Sequence, residues 1–492
     1  MRKKYLLILI LLLAFLLRGL EVITGNYLFL FDHGHYFIDV RNSLLAGKIP
    51  LIGTYTPVQS IFQGPGWYYL LTLVFLLGRG NPYYGMVLML IISLSSVIGA
   101  FFVARYLWGE KAGFVTAFLF AAAPISIKTT RHMWPPYPLL LVMILYVYFL
   151  FKVLLEKKKK YTLWLGLITG LTFHFEVAFG IFLLPVTIFI LLLYRHRLSL
   201  KSAILALLGF LVTFLPQIVF DLRHDFIQTR GILNFINSKG QDMGIPKPFF
   251  LYMKQHLFMF AGTLRESAWL PERFLSRWLL LLIFSFLLIV IFIKTNKKEK
   301  ETIKVLMGII IGVFLMYAFY PHDLWEWYLI GLGTVYIFLL GLIMTKLLEH
   351  RILKFLVLIF FLGVSLYSLN DLKEKYYPQP KIDNNLAFVK AKKEIIDYIY
   401  NDADGQPFGV FVYTPPIYDF PYEYLFWWYG QKKFGYLPTE SKDGLFYLII
   451  EPDLERPWGP KGWIETVIKE GEVVFDKTFP SGLRLQKRRG NN

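Results

Sequence analysis

Runs of about twenty apolar residues, separated by short loops rich in lysine and arginine, restrict this chain more than any other feature. A segment of that length with few charges suits the hydrocarbon of a bilayer. There it must close its own backbone hydrogen bonds as a helix. The runs fall at 4–24, 83–106, 112–128, 137–155, 161–175, 177–194, 202–220, 275–293, 303–320, 324–345 and 353–370. They predict a polytopic α-helical membrane protein with about eleven transmembrane helices. Composition agrees: 56% of residues are hydrophobic and 17% charged, against roughly 45–50% and 25% in soluble chains.

Charge distribution sets the orientation. Arg2, Lys3 and Lys4, then Arg105 with Lys111, Lys157 to Lys160, Arg195 with Arg197 and Lys201, Lys294 to Lys304, and Lys346 with Arg351 and Lys354 all fall on one side. Basic short loops stay inside, so the N-terminus is expected in the cytoplasm and the C-terminus outside a plasma membrane. The net charge of +18 is then topology, and no nucleic-acid partner is needed to explain it. There is no cysteine, which excludes disulfides and thiolate chemistry. The first run has a basic start but no small-x-small cleavage site, so it reads as a retained helix.

Two stretches on the outer side are long, 25–82 and 221–274. They and the helices make a transmembrane domain over 1–370. Beyond it, "NDLKEKYYPQPKIDNN" is a polar linker. Short strand-like runs such as "PFGVFVYT" and "GLFYLIIEP" follow, and predict a small extracytoplasmic α/β domain over 371–492.

Ionisable side chains gather on this outer side. "FDHGHYFIDV" places Asp32, Tyr36 and Asp39 on one helical face, with Phe37, Val40 and Leu44 on another that suits a helix lying in the interface. Asp32 is the candidate general base, since a carboxylate at membrane depth is costly unless it has a task. A solvated helix cap is the plainer alternative. His33 and His35 join Asp32 as candidate ligands of a divalent metal, although their spacing matches no zinc pattern. His174, Glu176 and Glu326 are supporting or acceptor-site candidates, together with His33, His35 and Asp39. Arg131, Arg223 and Arg230 lie near helix ends and have the fork that binds phosphate. Lipid-headgroup contact is the alternative for each of them. No Walker loop, dinucleotide fingerprint or HExxH is present in a fitting context.

Five stretches in order carry a resemblance: "FDHGHYFIDVRNSLLAGKIP", "FQGPGWYYLL", "ARYLWGEKAGFVTAFLFAAAPISIKTTRHMWPPYPLLL", "GLITGLTFHFEVAFGIFLLP" and "GFLVTFLPQIVFDLRHDF". Together they resemble the dolichyl-phosphate-mannose protein mannosyltransferases and their lipid A aminoarabinose transferase relatives. This resemblance implies the C-type glycosyltransferase fold. It also implies inverting transfer of a sugar from a polyprenyl-phosphate donor to a protein, lipid or glycan acceptor, with Asp32 as the loop carboxylate. The family often has Asp-Glu where this chain has Asp32-His33. A metal, seen in some members, stays open. Two other readings compete: a transporter of a lipid-linked or polar substrate, and a non-catalytic assembly protein. A transporter predicts charges and broken helices at mid-membrane, whereas here the charges collect at one surface.

Overall fold

Proline, glycine and one glutamate cut the long apolar runs into shorter helices than hydropathy alone suggests. The structure, a computed structural model, describes residues 2–156, 158, 160–194, 199–237, 248–268, 275–318, 320, 323–376 and 385–490. Lys157, Lys159, Arg195 and Arg197 of the expected inner loops, and residues 377–384 of the linker, lie outside the described residues. Helix α1 (Arg2–Arg18) stops before Gly19, and α2 (Leu20–Thr24) takes up the remainder of the first run. The run at 112–128 becomes α6 (Glu110–Ala122) and α7 (Pro124–Lys128), because Pro124 has no N–H and cannot continue the preceding helix. Glu176 separates α9 (Lys160–Phe175) from α10 (Val177–Leu193) and caps the latter, its Oε1 accepting from the Ala178 N–H at 3.2 Å.

All eleven expected segments fall on helices. Among the described residues, seven helices are long and apolar enough to cross a membrane: α5 (Tyr83–Trp108), α8 (Leu139–Glu156), α11 (Leu200–Arg223), α14 (Arg277–Lys294), α15 (Lys297–Ala318), α16 (Ile330–Glu349) with its preceding 3-10 turn, and α17 (Leu353–Tyr376). Two shorter apolar helices are α4 (Gly66–Gly78) and α10. The two long stretches expected on the outer side contain helices. The first carries α3 (Phe31–Leu45) and α4, and the second carries α12 (Ile227–Asn237) and α13 (Phe249–Ala268). The buried side chains of α13, Tyr252, His256, Phe260 and Leu264, recur every fourth residue, so one stripe is inside while Lys254 and Gln255 interrupt the hydropathy that would have flagged a span.

The chain divides into two compact units. The first comprises Met1–Gly19, Ile49–Leu70 and Leu88–Ser368. At its centre α16 is 94% buried over its most apolar window, as expected of a helix apolar on every side. Lipid is as apolar as leucine, so helices here associate through close packing rather than through escape from water. Helices α9 and α11 approach closely. A Cβ at Gly166 would meet the Ala206 carbonyl oxygen at 1.9 Å, and one at Gly209 would meet that of Leu163 at 2.1 Å. Gly166 and Gly170 stand four apart, the small-xxx-small spacing that lets two backbones touch.

The second unit comprises Leu20–Lys48, Leu71–Val87 and Leu369–Asn492. Its sheet has order β1-β2-β4-β3: β1 (Gly409–Tyr413) and β2 (Leu445–Ile450) are parallel, and β4 (Arg484–Arg489) is antiparallel to β2 and to β3 (Glu472–Thr478). Phe446, Leu448 and Ile450 alternate onto one face and pack with Ile468. Burial of this kind, away from lipid, stabilises by about 1.5–3 kcal/mol per large side chain. On the other face the Tyr447 hydroxyl donates to Asp402 at 2.5 Å, on the helix at 389–403.

The boundary expected at 370/371 does not isolate this unit, because the segment before α3 is stitched into it. Residues 27–29 pair antiparallel with 387–389, through Phe29 N–H to Ala387 O and Val389 N–H to Tyr27 O, each 2.9 Å. Phe37 and Val40 are almost fully buried, and Phe37 lies 5.3 Å from the Tyr424 ring. The face expected to rest in the lipid interface is thus turned into this unit's own core, since the rings of the segment at 420–430 cover it.

Candidate functional site

Helix α3 presents one accessible stripe. Asp32, His35 and Asp39, all half-buried, occupy it, whereas Tyr36 is buried; His35 therefore takes the place expected for Tyr36. Asp32 stands in the first turn of the helix, where the unpaired N–H groups favour an anion. Burial nevertheless pushes its carboxyl above the usual range, and His35 nearby opposes that shift. His35 Nε2 approaches Asp39 Oδ2 at 3.4 Å, one turn along. The helix start is locked by His33, fully buried, whose Nδ1 accepts the Leu30 N–H at 3.0 Å. At Gly34 the helix meets the backbone of Phe420, where a Cβ would sit 2.4 Å from its carbonyl carbon. Arg41 forms a 2.8 Å ion pair with Glu423 and covers the Trp427 ring.

In the first unit, His174 has a structural task. Its Nδ1 accepts the Gly66 N–H at 2.9 Å and its Nε2 donates to the Thr213 carbonyl at 2.9 Å, so the neutral tautomer is specified. Gly64 and Gly66 lie close against the ring, where added Cβ atoms would stand 2.7 and 3.0 Å from it. The Gly-Pro-Gly of "FQGPGW" is thus a seat for this imidazole, which leaves His174 without a free nitrogen for an acceptor. Glu176 is buried at the start of α10.

The three arginines expected at a lipid phosphate are spread over different elements. Arg131 is half-buried in the turn after α7, Arg223 ends α11 in an exposed position, and Arg230 on α12 is exposed and donates to the Asp225 carbonyl. A different group of cations gathers at a small cavity lined by Gly262, Arg265 and Glu266 of α13, Arg277 of α14, and Glu326. Lys128 reaches Glu266 at 2.5 Å and Glu326 at 3.7 Å. Three cations therefore stand against two carboxylates. Arg265 and Arg277 were missed in the sequence because both fall beside apolar runs, where a basic residue reads as an end marker.

Asp32, His33 and His35 do not fit a metal. The Nδ1 of His33 is committed to Leu30, and His35 turns toward Asp39. Among the described residues no group of three or more histidine or carboxylate side chains could hold a metal ion.

Comparison with known proteins adds to this picture. No curated protein sequence matches the chain. The sequence model of the dolichyl-phosphate-mannose-protein mannosyltransferases matches residues 63–220, from the seat of His174 through α11. The fold is similar to that of ArnT from Cupriavidus metallidurans bound to undecaprenyl phosphate: TM-score 0.63 at 12% identity, covering 98% of this chain and 97% of that one. ArnT in the apo state matches with the same TM-score of 0.63 at 11% identity and the same coverage. At such identity the likeness speaks for the fold. By sequence over residues 63–220 and by fold over almost its whole length, the chain resembles the dolichyl-phosphate-mannose-protein mannosyltransferases and ArnT, a membrane protein of the C-type glycosyltransferase fold.

Proposed function

We propose that the chain is a membrane glycosyltransferase that moves a sugar from a polyprenyl-phosphate carrier to an acceptor on the outer face, with inversion and with Asp32 as general base. The observation that carries this reading is the setting of Asp32: a half-buried carboxylate in the first turn of α3, outside the spanning helices, whose pKa burial raises. A raised pKa makes a carboxylate a better proton acceptor. The family match over 63–220 and the polyprenyl phosphate bound to ArnT support a lipid-phosphate donor. In the step, an acceptor O–H or N–H gives its proton to Asp32 while its lone pair bonds to the anomeric carbon. The bond from that carbon to the phosphate oxygen breaks, and polyprenyl phosphate leaves with the electron pair. The test is direct: purified protein in lipid, given polyprenyl-phosphate sugars, releases polyprenyl phosphate. No release from any donor of that class overturns the reading.

Cations must hold the leaving phosphate as charge grows on it. Arg265 and Arg277, with Lys128, suit this role better than Arg223 and Arg230, because the two arginines line one cavity and Lys128 pairs with its two carboxylates, which leaves an excess of positive charge. Arg265→Ala and Arg277→Ala are each expected to weaken donor binding by about 1.5–3 kcal/mol, the worth of a charge-assisted hydrogen bond. In a displacement assay this appears as a Kd raised roughly 10- to 150-fold. Unchanged affinity in both variants would move the phosphate site elsewhere, with Arg131 next in line.

The same reading puts the N-terminus inside and residues 371–492 outside. A reporter fused after Asn492 is expected to be active only in the extracytoplasmic compartment, and cytoplasmic activity would refute this orientation.

A further inference from the structure

Next to the accessible stripe of α3 lies a ladder of rings whose outer rung packing does not require. Phe420 stacks on His35 with centroids 4.8 Å apart and planes 16° apart. Tyr418 stacks on Phe420 at 5.2 Å and 7°. Phe31 braces both, at 5.1 Å from Phe420 and 6.0 Å from Tyr418. The inner rungs have a structural reason, since they seat α3. The outer rung has none: Tyr418 stacks on Phe420 and yet is 59% exposed. Beside it Ile417 is 81% exposed and has φ +76°. A β-branched residue in that region is strained, and no burial compensates it here. Strain and exposed apolar surface that coincide are a mark of function rather than of stability.

Resting on the reading of Asp32 as base, we infer that the Tyr418–Phe420–His35 ladder is the platform for the acceptor, and that the acceptor presents a pyranose ring to it. The chemistry of the surroundings selects this occupant. A pyranose has an apolar C–H face, which lies against an aromatic face, and an equatorial rim of hydroxyls that donate hydrogen bonds. The ladder supplies the faces. Asp32 and Asp39, on the stripe that carries His35, supply acceptors for the rim. A lipid tail would gain from the rings but would meet two carboxylates, and an anionic headgroup would be repelled by them. A peptide would want a free strand edge or an apolar pocket, and the loop at 414–418 is already closed on itself, by Ile417 N–H to Thr414 O and Thr414 Oγ1 to Tyr418 O, each 3.0 Å. A sugar ring uses both the faces and the charges. It also brings a hydroxyl to Asp32, which lies one turn of α3 from the inner rung.

The experiment uses the full chain in lipid nanodiscs without donor. Methyl β-D-glucopyranoside, methyl α-D-mannopyranoside, open-chain mannitol and a Ser/Thr-rich peptide are each observed by saturation-transfer NMR. The expected result is transfer to the ring C–H protons of at least one pyranoside and none to mannitol or the peptide. Tyr418→Ala is expected to reduce that transfer about tenfold, and Tyr418→Trp to retain it. Tyr418→Leu keeps apolar bulk without a ring face; a folded Y418L that binds as the wild type does overturns the inference. So does a pyranoside signal no stronger than that of mannitol, or a signal from the peptide alone. Asp32→Asn separates the two readings, because it is expected to bind the pyranoside and not to turn over. If D32N turns over normally while binding still depends on Tyr418, the base assignment falls and the platform stands.

Discussion

Asp32→Asn is expected to lower turnover by roughly 10²–10⁴-fold, the usual contribution of a general base, while the protein still inserts and binds donor. The amide has the shape of the carboxylate but cannot take the proton. Stability gives a second readout with an opposite sign. Burial raises the folded-state pKa of Asp32 above its ordinary value, so the ionised group costs the fold something once pH rises above the carboxylate range. D32N removes that charge and is expected to melt at or slightly above the wild-type temperature at pH 7. The difference should vanish as pH falls through the ordinary carboxylate pKa, where both forms are neutral. A structural cap would behave differently, losing stability and keeping activity. Near-wild-type turnover in D32N would sink the assignment and turn attention to Asp39, which shares the stripe, or to Glu176.

Arg18→Met is expected to be the most destabilising single change in the first unit. Arg18 is 1% exposed and uses all five of its N–H donors. Nε donates to Ser93 Oγ at 2.8 Å; Nη1 donates to the carbonyls of Ala14 and Ala121 at 3.2 and 2.6 Å; Nη2 donates to the Phe120 carbonyl and to Ser126 Oγ at 2.8 and 3.0 Å. The Phe120 carbonyl would ordinarily accept from the residue four positions on. That residue is Pro124, which has no N–H. Arg18 supplies the missing donor and places positive charge at the C-terminal end of α6, where the helix dipole favours it. Methionine fills similar space and leaves these carbonyls unpaired, at about 1–3 kcal/mol for each that stays dry. A loss of about 3 kcal/mol follows, read as an earlier thermal transition in detergent. Arg18→Lys, with three donors, should fall between. Equal melting of R18M and wild type would mean that Ser93 and Ser126 rearrange to serve the same carbonyls.

The Arg18 network also shows why reading the chain one segment at a time stops short. Hydropathy carries the first run through to residue 24 and assigns Arg18 no task, because the carbonyls that need it belong to residues 120 and 121. His174 is a second case. In the sequence it stands beside Glu176 as an ionisable pair at a helix junction, and its partners, Gly66 and the carbonyl of Thr213, lie far away along the chain. The motif "FQGPGW" did signal a break, but its glycines are needed for the close approach of a ring that no local pattern could name.

The sequence by itself determined which segments are apolar and helical and that Asp32 opens a short helix beyond the first of them, but not where each helix ends, since the runs at 4–24 and 112–128 each break in two. Those properties follow from apolar length, from proline and glycine, and from charge, all of which act within a few residues. Only the tertiary structure decided which side chains remain available for chemistry. It buried Tyr36 and left His35 beside Asp32, and it consumed both nitrogens of His174. It also drew Arg265 and Arg277 into one cavity and turned the apolar face of α3 into a core built with residues as far along the chain as Tyr424. A side chain's neighbours depend on helix packing and strand pairing between distant segments, and a pattern confined to a single segment contains no term for them.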